Sequence, residues 1–288
     1  MEGRDDNPPL GKSEKRLRTL DLKANPNELL KPGELIDVRG TQKLKLSDRQ
    51  VYNKLVANAF GPQMGEQGAC FQIAIKELRQ NHKGNERLKP TLIRLMGSVV
   101  ETTNARGGDL LFNLLGTCDL DNENRVDGIL KYSFDPRLVA IMRDSVTFGK
   151  LQLKVMGAFQ SKYSLALYEF GVLRVRLDYK SWEEMTLEEF REIMGVEAGK
   201  LVAYSSLRQR VIETALEEVN AFAEFQMWVR PRKTGRMVTH VAIGWEWKSH
   251  ERQDEAFREL NRPRVGRKAR IRGEVTAIRE YEAFQEAA

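Results

Sequence analysis

The chain has 288 residues, of which 41% are hydrophobic and 31% charged, and a formal net charge of +6. That length allows two packed domains plus tails, and the basic balance favours a polyanionic partner through long-range attraction and counterion release. Two distant cysteines, Cys70 and Cys118, argue against a disulfide scaffold or a Cys/His metal cluster, and the absence of a leader-like start or a long apolar run predicts a cytoplasmic protein that does not span a membrane.

Residues 1–45 carry Pro8, Pro9, Pro26, Pro32 and mixed charge with little periodicity, and are predicted to form a flexible arm. The first helix is predicted at Leu46, where Ser47 and Gln50 have capping-box spacing ahead of Val51, Leu55, Val56 and Ala59. A strand-like run from Cys70 to Ile75 leads into a short helical segment through Gln80. Pro90 then sits in the first turn of another helix, with Leu92, Leu95, Met96 and Val99 on one face. Beyond Arg106-Gly107-Gly108, Leu110 to Thr117 and Gly128 to Phe134 read as the arms of a hairpin around the polar stretch Asp119 to Asp127. Three helices followed by a two-stranded wing is the order of a winged helix, a variant of the helix-turn-helix.

After Asp135-Pro136, a short helix through Arg143 and a strand from Phe148 to Val155 lead to a second helix start at Ser161, with Leu165, Leu167, Tyr168 and Phe170 behind it. Thr186 and Glu189 form a further capping box, Gly195 closes that helix, and Tyr204-Ser205-Ser206 opens a third, whose Leu207, Val211, Ala215, Val219 and Phe222 share one apolar face. A last hairpin has arms Phe225 to Val229 and Met237 to Trp247, joined by a basic turn from Arg230 to Arg236. The expected fold is α+β: two tandem winged-helix domains, 46–157 and 158–249, between a flexible arm, 1–45, and a charged extension, 250–288.

The ordered segments SKYSLALYEF, MTLEEFREIMGV, YSSLRQRVIETALEEVNAF and KTGRMVTHVAI resemble the C-terminal winged helix of iteron-binding plasmid replication initiators of the RepA/RepE/Pi type. LSDRQVYNKLVANAF resembles the opening helix of the first winged helix of that family. The resemblance implies binding to direct repeats in a plasmid origin, opening of neighbouring DNA and recruitment of a host initiator and helicase. It also implies a homodimer, in equilibrium with the monomer, that binds an inverted repeat and represses its own promoter. The first domain would then serve auxiliary DNA binding and dimerisation, and no cofactor is implied.

The resemblance places major-groove reading on the helix from Ser205 to Asn220. Helical spacing points Ser206, Gln209, Arg210 and Glu213 outward with Ser205 at the start, and leaves Arg208 between the apolar side and an outward turn to phosphate. Arg210 is the strongest single candidate for reading a guanine, although Ser206 and Gln209 also have capping-box spacing. The wing concentrates Arg230, Arg232, Lys233 and Arg236 without an acid, suited to phosphate or minor-groove contact, and His240 follows in its second strand as a packed or phosphate-facing residue. In the first domain Lys89, Thr91, Arg94 and Arg106 are weaker candidates. The basic stretch from Arg262 to Arg272 is as consistent with disorder as with backbone contact.

Enzyme chemistry is not expected. His82, His240 and His250 form no His-x-His pair for metal-assisted tyrosine nicking, and Tyr163 and Tyr168 lie on an apolar helix without an adjacent base. Gly11-Lys12-Ser13 lacks the upstream glycine of a phosphate loop, which falls at Asp6. In the acidic stretch Asp119 to Arg125, Asn124 and Leu130 stand where a calcium loop requires glycine and glutamate. A transcriptional repressor without initiator activity would use the same helices, and an assembly protein would use them for protein contacts alone.

Overall fold

The computed structural model describes residues 17–79, 87–103, 108–121 and 128–273. Strand β1 (Glu28–Pro32) runs antiparallel to β7 (Phe148–Gln152) and is followed by a helical turn, α1 (Gly33–Ile36). This corrects the predicted arm for residues 17–45. Leu20, Leu29, Leu30, Leu35, Ile36, Val38 and Leu44 are all buried there, and a pairing partner some 120 residues downstream supplies the hydrogen bonds that local sequence does not announce. The strand expected from Phe148 to Val155 stops at Gln152, where α6 (Leu153–Ala158) takes over.

Helix α2 (Leu46–Ala59) buries Val51, Leu55, Val56 and Ala59 as its spacing predicts. Its first turn is closed differently from expectation. Asp48, not the Ser47/Gln50 pair, accepts the Lys45 backbone N–H at 2.9 Å, while the Gln50 amide donates to the Met156 carbonyl. After β2 (Phe71–Ala74) and the turn α3 (Ile75–Leu78) comes α4 (Leu88–Gly97). The predicted hairpin is re-paired: β4 (Asp109–Asn113) joins β3 (Val99–Thr103), whereas β5 (Cys118–Asp121) pairs β6 (Ile129–Tyr132), which also pairs β2. Val99 therefore begins a strand rather than ending the helix. Helix α5 (Pro136–Asp144) has Pro136 in its first turn and Asp135 accepting from the Arg137 backbone N–H at 2.8 Å, as Asp-Pro ahead of an apolar stripe suggests.

Helix α7 (Lys162–Arg174), capped by Ser161, packs on α1, α2 and β7. It joins these elements through a buried polar network. Lys31 Nζ on β1 lies 3.0 Å from Glu169 Oε2 on α7 and 3.1 Å from Asn53 Oδ1 on α2, and Asn53 Nδ2 donates to Glu169 Oε1 at 2.7 Å. Burial lowers the Lys31 pKa, and the Glu169 charge opposes that shift. Tyr168, on the same helix, stacks on Phe225 at 5.8 Å, the packing role expected of it.

The chain continues with β8 (Trp182–Thr186), α8 (Leu187–Ile193), α9 (Tyr204–Leu207) and α10 (Thr214–Phe222), then β9 (Phe225–Thr234) and β10 (Met237–Trp247). Its sheet has the order β8-β10-β9, so the hairpin gains a third strand that lies ahead of the capping box. Helix α10 packs against α7.

Residues 262–272, which the sequence left open between disorder and backbone contact, are folded. Helices α11 (His250–Asn261) and α12 (Arg267–Ile271) fold back on α10. Arg267 is 4% exposed with its guanidinium 5.0 Å from the Phe222 ring centre, and Glu259 accepts from both Arg262 and Arg270. The buried Lys248 ammonium donates to the Asn220 and Ala223 carbonyls, both at 2.7 Å, satisfying free acceptors at the end of α10.

Burial lowers the Lys248 pKa to about 8, below its unfolded value. Between pH 8 and about 10.5 the unfolded chain therefore binds the extra proton, and this group's contribution to stability rises with pH. The difference in stability between the parent and Lys248→Met should shift towards the parent across that window in denaturant titrations. A flat difference would show that burial does not perturb this lysine.

Candidate nucleic-acid interface

Residues 204–222 form one continuous helix in which α9 and α10 are joined by a π turn, Arg208–Glu213. Leu207, Val211, Ala215 and Val219 are all fully buried and recur every fourth residue, whereas a regular α-helix has 3.6 residues per turn and would let such a row drift slowly around its axis. The wider π turn takes up that drift and keeps the row inward. Ala203 is the N-cap and makes no side-chain cap bond, so the helix begins ahead of Ser206 and the Ser206/Gln209 capping alternative is not realised. The entry loop is fixed instead by the Arg191 guanidinium, which donates to the Lys200 and Leu201 carbonyls.

The outward face carries Ser205, Arg208, Gln209, Arg210 and Glu213, all exposed, with Ser206 half-buried beside them. Of the four residues that helical spacing pointed outward, Gln209, Arg210 and Glu213 are exposed and Ser206 is half-buried. Arg208 is resolved as outward-facing, and its Nε donates to Glu213 Oε1 at 2.9 Å. Arg210 has no ion-pair partner among the described residues.

Beside this helix the wing is longer and its turn tighter than predicted. Strand β9 continues to Thr234 and β10 starts at Met237, so the expected basic turn is mostly strand, closed by Gly235 and Arg236 alone. Gly235 has φ +62°, the left-handed conformation that favours glycine in a two-residue hairpin loop. A bulge between Val238 and His240 increases the local twist, and Thr239 there shares hydrogen bonds with Thr234 Oγ1 at 2.9 Å and His240 Nδ1 at 3.0 Å. His240 is half-buried in the middle of the sheet, between Arg232 and Thr186.

Arg230, Arg232, Lys233 and Arg236 are all exposed. Two of them are held by partners the sequence reading did not identify. The Arg230 guanidinium stacks 4.6 Å from the Trp228 ring centre, and Arg232 Nε lies 3.4 Å from Glu184 Oε2 on β8. Trp228 in turn lies across Gly244, where any Cβ would collide with the indole. The signal available was the alternation of Trp228, Arg230 and Arg232 along one strand face. Gly244→Val is expected to displace this support and to destabilise the domain by about 1–3 kcal/mol, read by thermal unfolding.

The first-domain candidates separate. Lys89 is exposed on the first turn of α4. Thr91, 3% exposed, instead donates to Asp48 Oδ1 at 2.8 Å, and Arg94 forks onto both Asp48 oxygens at 2.8 and 2.7 Å. These two side chains tie α4 to the first turn of α2; Thr91 is thereby withdrawn from the surface, whereas the Arg94 side chain stays 30% exposed. Burial alone would raise the Asp48 pKa, but the Arg94 fork, the Lys45 backbone N–H and the Thr91 hydroxyl together hold it below the ordinary value. Arg106 lies outside the described residues.

No helix among the described residues is long and apolar enough to cross a membrane. Comparison with curated proteins finds no match. The family profile described as "Initiator Replication protein, WH1" matches residues 30–171, and that of "Initiator Rep protein, WH2" matches residues 186–245. Among solved structures, a chain from the crystal structure of the Pi initiator protein in complex with iteron DNA superposes with a TM-score of 0.57 at 15% identity, covering 77% of this chain and 98% of that one. That likeness concerns the fold. With both profiles matched in order over more than half of its length, the chain belongs to the initiator replication protein family and is built from its two tandem winged helices.

Proposed function

We propose that this protein is a plasmid replication initiator that binds direct repeats in a double-stranded origin. The helix 204–222 enters the major groove and the basic wing grips the flanking backbone. The observation that carries this reading is the outward polar face Ser205 to Glu213, followed along the chain by a wing with exposed Arg230, Lys233 and Arg236, within domains of an initiator family. The first domain serves auxiliary backbone contact, with Lys89 as its described candidate, and dimerisation. Bound protein promotes opening of neighbouring DNA and recruits host replication proteins. A dimer on an inverted repeat represses the protein's own promoter.

Supplying the intact gene in trans to a plasmid deleted for it is expected to restore replication, and Arg210→Ala is expected to impair that restoration. Replication of the deleted plasmid without any supply would remove the initiator reading and leave those of a repressor or an assembly protein. Lys233→Ala is expected to weaken binding to all duplexes alike and to lower the slope of log affinity against log salt by about one. An unchanged slope would remove Lys233 from the phosphate contacts.

A further inference from the structure

On the reading just given, we infer that Arg208, buttressed by Glu213, reads a guanine in the repeat, and that Glu213 acts as its positioning residue. In a regular α-helix the side chains that neighbour residue 208 at three and four positions on are Val211 and Ile212, both buried, and neither can hold a guanidinium. The π turn changes that neighbour. It brings Glu213, five residues on, to 2.9 Å from Arg208, with Nε donating to Oε1. The Arg208 and Glu213 side chains remain 63% and 47% exposed, on the face that carries Ser205 and Gln209.

The chemistry of the contact follows from which nitrogen is engaged. A guanine offers O6 and N7 side by side in the major groove, and an arginine meets them with two parallel N–H donors. Here Nε is taken by the carboxylate, which leaves the terminal Nη1 and Nη2 edge of the guanidinium to face the base. As a surface ion pair the contact adds little stability. Its effect is to hold a long side chain in one plane, so that less rotamer freedom is lost when the base arrives. Arg210 makes no ion pair among the described residues, has no such support and is left for phosphate contact. The carboxylate also sets a penalty. A duplex without guanine at that position leaves Glu213 and Arg208 paired to each other and desolvated without a base acceptor.

The test is selection from a pool of random-sequence duplexes by the full-length protein, with sequencing of the bound fraction, for the parent, Arg208→Lys, Glu213→Gln and Arg210→Ala. The parent should enrich one motif containing a guanine preferred by about 5- to 150-fold over other bases. Arg208→Lys should flatten that one position. Glu213→Gln should weaken the preference at the same position, and a double variant carrying both Arg208→Lys and Glu213→Gln, selected alongside, should lose no more than Arg208→Lys alone. Arg210→Ala should lower affinity while keeping the motif. Loss of the guanine preference in Arg210→Ala but not in Arg208→Lys would overturn the inference, as would an unchanged motif in Glu213→Gln. Those outcomes leave origin binding intact, whereas a parent that enriches no motif at all overturns the functional reading together with this one.

Discussion

Glu169→Ala is expected to destabilise the protein by about 3–5 kcal/mol, the cost of removing one partner from a buried ion pair. The carboxylate is the anion in a network that also contains Lys31, Asn53 and, through its charge, Arg49. Lys31 and Glu169 side chains are 5% and 7% exposed, so water does not replace the lost partner. Removing the carboxylate leaves Lys31 without its counter-charge and Asn53 Nδ2 with only the weak Met156 Sδ acceptor. Because Glu169 sits on α7 while Lys31 and Asn53 belong to β1 and α2, the loss falls on the seam that joins the helix to the elements before it. Chemical denaturation should show a lower midpoint. The Lys31→Met, Glu169→Leu pair, which removes both charges together, should recover most of the loss. A single variant within about 0.5 kcal/mol of the parent would mean that the network is solvated and carries no stability.

The second large effect is electrostatic. Replacing Arg230, Arg232, Lys233 and Arg236 together by alanine is expected to lower the slope of log affinity against log salt by about 3–4, at about 0.9 per phosphate contact. Between 50 and 200 mM salt, the parent should accordingly lose about a hundredfold more affinity than the variant. Their exposure predicts that the fold survives, since none of the four is a core residue. The stacked Arg230 and the paired Arg232 are held in place before DNA arrives, so the contribution per side chain need not be equal. Binding titrations at several salt concentrations measure the slope directly. An unaltered slope in the fourfold variant would show that the wing does not touch the backbone.

The parts of this architecture that were legible in the sequence are those fixed by short-range periodicity. The caps at Ser161 and Thr186, the glycine at 195 and the inward row from Leu207 to Val219 stand where their spacing put them, because each is decided within a few residues. The π turn within that row was not legible, because positions four residues apart share a face in a regular helix as well. What was not legible depended on distant partners. β1 looks like a proline-flanked arm until β7 pairs with it, and Val99 to Thr103 follows a helix so closely that its own pairing with β4 is invisible locally. Thr91 and Arg94 resemble surface candidates on a helix, and only Asp48, more than 40 residues earlier, reveals the bonds that tie them to α2. In the wing, the basic residues were identifiable by type, while the strand length and the supports from Trp228 and Glu184 required the sheet register.

The central claim is sequence-specific recognition of duplex DNA by the second winged helix. It is tested most directly by titrating the full-length protein, at one fixed salt concentration, against its own origin repeats and against scrambled duplexes of the same composition. The account predicts binding to the repeats at least about a thousandfold tighter than to the scrambled duplexes. Equal affinity for both, falling together as salt rises, would contradict it.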